Sequence, residues 1–404
     1  MASSRHAIIA GAGIGGLTAA LTLARAGLTV TLLEQAPALS EAGAGLQLAP
    51  NASGILAQFG ILDRLVGLAL APDRLRVRSQ RSGADIMRMP LGPVAELRWG
   101  APTLVVHRGD LQRALLDRVA QESSIELRTG MSVAGFANSP QGVSVAVKNG
   151  ADVQSLEADL LIGADGLHSR VRKGLGLGLA DQPHYSGRTA WRAIADGRDA
   201  PDFALRVETS LWLGSHAHLV HYPLRQGALV NVVAITDDPW RGVEDTNFWS
   251  QPGEGAQLTR RFSGWHKDAR QLLASVREWR RWPLFDRTPT SRWSIGRVAL
   301  LGDAAHPMLP FFAQGAAQAI EDAAALGAAF TARGAGGPLD VQTALAAYEA
   351  KRVARAGRVQ LASRRQGTIY HLPGPAALIR DLGMRSLSAE NMMSRFDWLY
   401  RYGA

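Results

Sequence analysis

The chain has 404 residues, of which 47% are hydrophobic and 20% are charged, so it is long enough to form a sizeable core and two packed units. Its formal net charge is +9, but the arginines are scattered and form no run of like charges, so no nucleic-acid partner is expected. The absence of cysteine excludes disulfides, thiolate catalysis and cysteine metal sites. We predict a cytoplasmic protein with no metal site and no membrane span, because no apolar run is long enough to cross a bilayer.

The N-terminal segment predicts a βαβ unit. Residues 7–10 form a short apolar run, the helical pattern LTAALTLARAG ends at Gly27, and LTVTLLE has the character of a second strand. A strand, a glycine-rich turn, a helix and a second strand in such quick succession imply a parallel sheet.

The turn of this unit has the sequence GAGIGG, which predicts dinucleotide binding. Gly11 permits the tight turn, Gly13 lets backbone amides approach a pyrophosphate, and Gly16 lets the helix pack on the sheet. Glu34 ends the second strand, where a carboxylate binds ribose hydroxyls. Glu34 favours FAD or NAD over NADP, and the motif leaves the choice between the first two open.

The rest of the chain alternates strands and helices. LRVRSQRSGADIMRMP predicts a hairpin around Ser82-Gly83, RGDLQRALLDRVAQE and WHKDARQLLASVREW predict helices, and AHLVHYPLRQGALVNVVAIT predicts an antiparallel pair around Gln226-Gly227. From Ala316 to about Gln366 the pattern is mostly helical.

Two further apolar strands end in acidic turns. DLLIGADGLHSRVR brings Asp165-Gly166 to the start of a helix with Ser169 and Arg172, and RVALLGDAAHP brings Gly302-Asp303 to the end of another strand. An aspartate in such apolar surroundings needs a polar partner if it is buried.

The order and spacing of GxGxxG, of DG followed by serine and arginine, and of GD before AAHP resemble the class A FAD-dependent aromatic hydroxylases. This family includes the p-hydroxybenzoate, salicylate and 3-hydroxybenzoate hydroxylases. The segments GAGLQLAPNA, HRGDLQRALL, GRTAWR, HLVHYPLRQG and DWLY also match, so the resemblance spans essentially the whole chain. It implies a monooxygenase with non-covalent FAD that uses NAD(P)H, with NADH favoured, and O₂. It would hydroxylate a small aromatic compound of the hydroxybenzoate, salicylate or hydroxypyridine type through a flavin C4a-hydroperoxide.

The resemblance and the element order together predict an α/β fold with two interleaved domains. We expect a Rossmann-like FAD-binding domain on a mostly parallel sheet over residues 1–74, 100–178 and 283–370. An inserted α+β substrate domain, built on an antiparallel sheet, is expected over residues 75–99 and 179–282. Residues 371–404 are expected to form a C-terminal helical tail.

The resemblance implies roles for residues around the cofactor. Its phosphate and ribityl region would be supported by Arg108, Asp165, Gly302 and Asp303. A helix beginning at Gly315, Ala316 and Ala317 would point its positive end at the flavin pyrimidine ring. Because relatives often carry glycine and asparagine where this chain has alanine, backbone donors rather than side chains are expected there. Pro307 would lie beside the reactive edge of the flavin.

The resemblance also implies a substrate pocket. His218 and Tyr222 are four apart on a strand and therefore point to one face. Facing the substrate ring, His218 is suited to take a proton from a ring hydroxyl, and the alternative is a structural histidine. Gln47 is assigned to the same pocket. His306 either lines the pocket or packs, and Arg192 is expected to support the sheet.

Two other function classes remain as alternatives. A flavin oxidase or dehydrogenase would share the GxGxxG half but reduce its flavin with its own substrate, without NAD(P)H. A non-enzymatic nucleotide-binding protein would share the turn alone. The sequence leaves open the substrate, the choice between hydroxylation and decarboxylative hydroxylation, and the oligomeric state, a homodimer included.

Overall fold

A computed structural model describes residues 5–39, 44–177, 182–238, 251–334, 337–338 and 340–402. The strands of this part of the chain are β1 (His6–Ala10), β2 (Thr29–Glu34), β3 (Gly45–Leu48), β4 (Arg74–Ser79), β5 (Asp85–Pro90), β6 (Leu104–His107), β7 (Ile125–Thr129), β8 (Met131–Asn138), β9 (Val143–Asn149), β10 (Asp152–Ala158), β11 (Leu160–Gly163), β12 (His184–Asp196), β13 (Thr209–Gly214), β14 (Ala217–Leu224), β15 (Leu229–Asp237), β16 (Gln251–Gly253), β17 (Trp279–Asp286), β18 (Ser294–Ile295), β19 (Val298–Leu300), β20 (Arg333–Gly334) and β21 (Gly337–Pro338).

The helices in the same residues are α1 (Ile14–Arg25), α2 (Pro50–Ala57), α3 (Ile61–Arg64), α4 (Gly92–Trp99), α5 (Arg108–Val119), α6 (Arg170–Gly174), α7 (Gly255–Arg261), α8 (Lys267–Ala274), α9 (Gly315–Thr331), α10 (Val341–Tyr370), α11 (Gly374–Arg385), α12 (Ala389–Ser394) and α13 (Asp397–Tyr400). None of these described helices combines the length and the apolar character that a membrane crossing requires.

The nucleotide-binding region is built on a six-stranded sheet in the order β18-β19-β11-β1-β2-β7. Every neighbouring pair is parallel except β18 with β19. The four central strands, β19, β11, β1 and β2, are short and largely apolar and are mostly buried, as a parallel sheet covered by helices on both faces requires. Helix α9 packs against α1 so closely that a side chain at Gly327 would collide with Thr22. The predicted parallel sheet is confirmed.

An eight-stranded sheet in the order β16-β17-β12-β15-β14-β13-β4-β5 forms the second unit. Its neighbouring strands are antiparallel apart from β13 with β4. One face is covered by α7 and α8, through an apolar cluster that includes Trp212, Phe262 and Leu272. The opposite face is therefore the one available to the nucleotide-binding region, and the predicted separate sheet and C-terminal helices are confirmed.

The structure differs from the sequence predictions in three places. The segment WHKDARQLLASVREW is helical only to Ala274, and Trp279 already begins β17. The boundary predicted between residues 282 and 283 falls inside β17, whose pairing with β12 continues to Asp286. The boundary at 178–179 lies outside the described residues. Strand β10 was not predicted, because its side chains are mostly exposed and give no apolar alternation.

Candidate active site

Gly11, Gly13 and Gly16 lie in the turn that joins β1 to α1, and they have different neighbours. Gly11 has a φ of 101°, and a Cβ there would lie 2.5 Å from the Ala164 carbonyl oxygen. A Cβ at Gly16 would overlap the Gly11 carbonyl oxygen. At Gly13, by contrast, a Cβ would meet no heavy atom within 4 Å. The fold itself therefore requires glycine at positions 11 and 16, whereas Gly13 borders open space at the N-terminus of α1.

Glu34 ends β2 and holds the same turn. Its Oε2 accepts a hydrogen bond of 3.0 Å from the Ala12 amide, and its Oε1 accepts one of 2.9 Å from the Ala36 amide. Each carboxylate oxygen has a further lone pair. Glu34 is thus positioned beside the glycine turn with acceptor capacity left for a ligand hydroxyl.

The side chain of Asp165 caps α6. It accepts hydrogen bonds from the Ser169 hydroxyl at 2.5 Å and from the Arg170 amide at 2.7 Å, while its Cα would lie 3.1 Å from a Cβ at Gly11. The buried Arg172 guanidinium donates to the carbonyls of Ala304 and Ala305, both at 2.8 Å. The second motif of the sequence is therefore tied to the third through Arg172.

Asp303 lies in the 3₁₀ turn Gly302–Ala304 that follows β19. Its side chain is exposed to solvent, although many protein atoms surround it. A group with both properties lies at the bottom of a cleft. Burial raises the pKa of this carboxyl, while the charges of His306 and Arg108 act in the opposite direction. A Cβ at Gly315 would lie 3.9 Å from Asp303 Oδ1. The start of α9 therefore borders the same cleft as Asp303.

Helix α9 begins without a side-chain cap, because its N-cap residue Gln314 makes no such hydrogen bond. Gly315 and Ala316 are half-buried, and Ala317 is fully buried. The N–H groups of the first turn thus remain as donors beside Asp303.

Three polar residues share the face of the eight-stranded sheet that α7 and α8 leave uncovered. His218 and Tyr222 are four residues apart on β14, with Val220 midway between them. Val220 lies opposite Val233 of β15, and Val233 lies opposite Arg192 of β12. Residues directly opposite in neighbouring strands share a face. The register therefore places Arg192 on the same face as His218 and Tyr222.

Arg192 lies close to Tyr222 and Arg108, and it has no acidic neighbour among the described residues. Its Nε is buried and makes no hydrogen bond there. Burial lowers the pKa of the guanidinium, the proximity of Tyr222 raises it and the charge of Arg108 lowers it further. Tyr222 itself lies against Gly45 of β3, and Gln47 lies two residues further on the same face of that strand.

His218 is buried among aromatic rings, with its ring centroid 5.5 Å from that of Phe311 and 5.3 Å from that of Tyr370. Burial, followed by the charges of His371 and Arg188, lowers its pKa well below the usual value. His218 is therefore neutral at physiological pH and able to accept a proton.

His306 and Pro307 lie below the cleft. His306 is buried, its Nε2 lies 2.5 Å from Asp322 Oδ2, and its ring lies 4.9 Å from that of Trp293. Pro307 is buried and its carbonyl accepts a hydrogen bond of 2.9 Å from Gln360. Of the two alternatives for His306, these contacts favour packing over a place in the substrate pocket.

The FAD binding domain family matches residues 5–363 of the chain. The 3-hydroxybenzoate 6-hydroxylase of Polaromonas naphthalenivorans is 36% identical over 97% of this chain and 95% of its own length. The 6-hydroxynicotinate 3-monooxygenase of Bordetella bronchiseptica is 38% identical over 89% of this chain and 90% of its own. The crystal structure of Klebsiella pneumoniae HpxO with FAD and uric acid superposes with a TM-score of 0.83 at 29% identity, covering 97% of this chain and 95% of that one.

The chain is a class A flavoprotein aromatic hydroxylase. It is a monooxygenase that binds FAD and uses NAD(P)H and O₂, which excludes the oxidase and the non-enzymatic alternatives.

The geometry of the hydroxylase fits FAD. The open position at Gly13 would leave room for a pyrophosphate at the N-terminus of α1. Glu34 lies beside this turn and would have acceptor capacity for a ribose, and the accessible carboxylate of Asp303 lies by the uncapped start of α9. Among the described residues, no group of three or more histidine and acidic side chains is arranged to hold a metal ion.

Sequence reasoning missed a buried ionic cluster beneath the cleft of the hydroxylase. Asp322 accepts hydrogen bonds from the Gly302 amide at 2.9 Å and from Arg352 Nε at 2.6 Å, and Arg352 also pairs with Glu321. The cluster fixes the turn that carries Asp303. Its only signal in the sequence was a pair of adjacent acids on an otherwise apolar helix.

Proposed function

We propose that the substrate of this hydroxylase is a hydroxylated aromatic acid. The observation that carries the proposal is the Arg192 guanidinium, whose Nε is buried without a hydrogen bond among the described residues and which lies beside a second arginine, Arg108. Arg192 and Arg108 repel each other, and burial of Arg192 without an acidic neighbour among the described residues is costly. An anionic ligand group removes both costs, and a carboxylate is the group that a guanidinium binds in a bidentate manner.

The spacing along β14 agrees with a single aromatic ring. Residues four apart on a strand are separated by about 13 Å, and both side chains project from the same face. A ring that presents its hydroxyl to His218 and its carboxylate to Arg192 and Tyr222 would occupy the space between them. Two relatives are named for 3-hydroxybenzoate and 6-hydroxynicotinate, and each of these compounds carries a hydroxyl and a carboxylate on one ring.

The protein's own groups then have distinct tasks in the proposal. Bound FAD supplies the redox chemistry, accepting two electrons from the nicotinamide and activating O₂. His218, neutral because of its burial, takes the proton of the ring hydroxyl, which makes the ring more reactive towards an electrophilic oxygen. Asp303 and the first turn of α9 hold the polar part of the cofactor, and the aromatic residues around His218 exclude water. His306 supports the turn from below. NADH is the favoured reductant, bound transiently in a cytoplasmic enzyme.

The test compares 3-hydroxybenzoate with 3-hydroxybenzamide, which keeps the ring hydroxyl but lacks the charge. The dissociation constant is measured from the change in flavin absorbance, and NADH consumption and hydroxylated product are measured together. We expect the acid to bind about 10- to 150-fold more tightly, as for loss of a charged hydrogen bond. Arg192→Gln should remove this preference while FAD stays bound.

Arg198→Gln is the matched control, because Arg198 is an exposed arginine that pairs with Asp196 on the surface. Its preference for the acid should equal that of the wild type. Equal binding of the acid and the amide by the wild type would refute the role of Arg192, and so would an unchanged preference in Arg192→Gln.

A further inference from the structure

A chain of hydrogen bonds leads from the buried His218 to the protein surface. His218 Nδ1 lies 2.8 Å from His371 Nε2, and His371 Nδ1 lies 2.5 Å from Asp237 Oδ1. The side chains of His218 and His371 are almost completely buried, whereas that of Asp237 is 34% exposed. The three residues come from β14, from the end of α10 and from the end of β15.

The partners assign the tautomers of both imidazoles. An ionised Asp237 only accepts hydrogen bonds, so the neutral His371 carries its proton on Nδ1 and presents a lone pair at Nε2. His218 must then carry its proton on Nδ1, which leaves its Nε2 as an acceptor. Nε2 takes no part in the chain of bonds and is the nitrogen left for a ligand. The carboxylate thus makes His218 a base by way of His371.

The charged groups around the chain keep Asp237 ionised and the two imidazoles neutral. Burial alone would raise the pKa of Asp237, but His371, His216 and Arg188 lower it far below the usual value. Burial lowers the pKa of His371, with Asp237 opposing and Arg188 and His216 adding to the shift. Arg261 also donates to the backbone carbonyl of Asp237.

These surroundings create a difficulty for a base that acts alone. A proton taken from the substrate would leave an imidazolium among the rings of Phe311 and Tyr370, with the positive charge of Arg188 nearby. Such a buried charge is costly. A partner that takes the second proton of His218 at once avoids it, and His371 is within hydrogen-bond distance for that purpose.

We propose that His218, His371 and Asp237 form a proton relay, which carries the proton of the substrate hydroxyl from the closed pocket to solvent. The relay rests on the proposed function, because a ring hydroxyl supplies the proton. The substrate O–H bond breaks as an N–H bond forms at His218 Nε2, the Nδ1 proton of His218 passes to His371 Nε2, and the Nδ1 proton of His371 passes to Asp237 Oδ1. Asp237, which the surrounding positive groups keep ionised, passes this proton on to water at once, and the substrate remains as the phenolate. His371 and Asp237 act through His218 and are positioning residues.

The test follows the formation of bound phenolate in the FAD-loaded, oxidised enzyme by rapid mixing with 3-hydroxybenzoate, using the absorbance of the phenolate. In parallel, a pH-indicator dye in weak buffer measures the proton released to solvent. In the wild type, both signals should rise together at a rate that changes little around neutral pH. In His371→Gln, which keeps a polar side chain but cannot transfer the proton, both should be slower by about tenfold or more. The remaining rate should increase with pH, because hydroxide must then remove the proton.

His184→Gln is the matched control, since His184 also pairs with a carboxylate, that of Asp286 at 2.6 Å, but is not connected to His218. It should behave like the wild type. Asp237→Asn provides a second variant if His371→Gln does not fold or bind FAD, and it should slow both signals in the same way.

Product formation by the wild type separates the two levels of the proposal. A wild type that hydroxylates aromatic acids, together with FAD-loaded variants that keep its deprotonation rate and pH dependence, would refute the relay and leave the proposed function intact. A variant with weaker substrate binding but an unchanged pH dependence would show a structural role for His371. If the wild type neither binds nor hydroxylates any aromatic acid, the proposed function fails and the relay with it.

Discussion

Replacement of Gly13 by alanine should separate cofactor binding from folding. Gly13 is the N-cap of α1, with φ −71° and ψ −179°, a conformation that alanine adopts without strain. The added Cβ would meet no heavy atom within 4 Å. We propose that it would instead occupy the space in which the pyrophosphate of FAD approaches the backbone amides of the turn.

The magnitudes differ for the two properties. Loss of glycine at an N-cap costs roughly 1 kcal/mol of stability, and the reduced freedom of the unfolded chain offsets about 0.4–1 kcal/mol of this. The apo-protein should therefore melt within a few degrees of the wild type. A displaced pyrophosphate loses charge-assisted hydrogen bonds, each contributing about 1.5–3 kcal/mol. Loss of one raises the dissociation constant of FAD about 10- to 150-fold.

The assay removes FAD, measures the melting temperature of the apo-protein by circular dichroism, and titrates FAD by quenching of its fluorescence. Gly16→Ala is the matched control, because the same methyl group there overlaps the Gly11 carbonyl oxygen and should lower the melting temperature as well. An unchanged affinity of Gly13→Ala for FAD would refute the assignment of this turn to the pyrophosphate.

Three further predictions follow from the site. His218→Ala should slow hydroxylation about 100-fold or more with FAD still bound, because His218 lies on the sheet face and not in the nucleotide turn; wild-type turnover across pH would exclude it as the base. Glu34→Gln should weaken FAD binding about tenfold in the same fluorescence titration. An unchanged affinity would mean that Glu34 holds the glycine turn but does not bind the ribose. Burial alone would raise the pKa of Asp322, but the charges of His306 and Arg352 hold it at about 2. Since the pKa of an aspartate in the unfolded chain is about 3.9, the ionised Asp322 stabilises the fold above about pH 4 by roughly 2 kcal/mol, and this stabilisation is lost as the pH falls towards 2. The free energy of unfolding of Asp322→Asn, measured with urea, should therefore fall less between about pH 4 and about pH 2 than that of the wild type. An equal fall in both proteins would contradict the prediction.

The parts of the site that sequence analysis predicted depend on local geometry. The glycine spacing of the first turn follows from a backbone that must bend, admit a phosphate and pack a helix within a few residues. The shared face of His218 and Tyr222 follows from the period of two residues in a strand. Asp303 stood out because a carboxylate ended an apolar strand.

Other parts could not be worked out from the sequence, because a pattern cannot show which side chains meet. Arg192 was expected to support the sheet, and only the register of β12, β15 and β14 places it on the face of His218. The prediction that Asp165 supports the cofactor stays a prediction, and the structure adds that its side chain caps α6 and that its Cα lies near Gly11. His306 was left between two roles until its contact with Asp322 was seen.

The sequence by itself determined the family, from the order of its motifs along the chain, and it determined the glycine turn and the strand that carries His218, which depend on residues close together. Tertiary structure decided the electrostatic character of the pocket. His218 and His371 are 153 positions apart, and Arg352 lies 30 positions after Asp322. The first contact joins a strand of the second sheet to the end of α10, and the second joins α9 to α10. Such contacts depend on how distant elements pack, because polar groups that packing buries need partners.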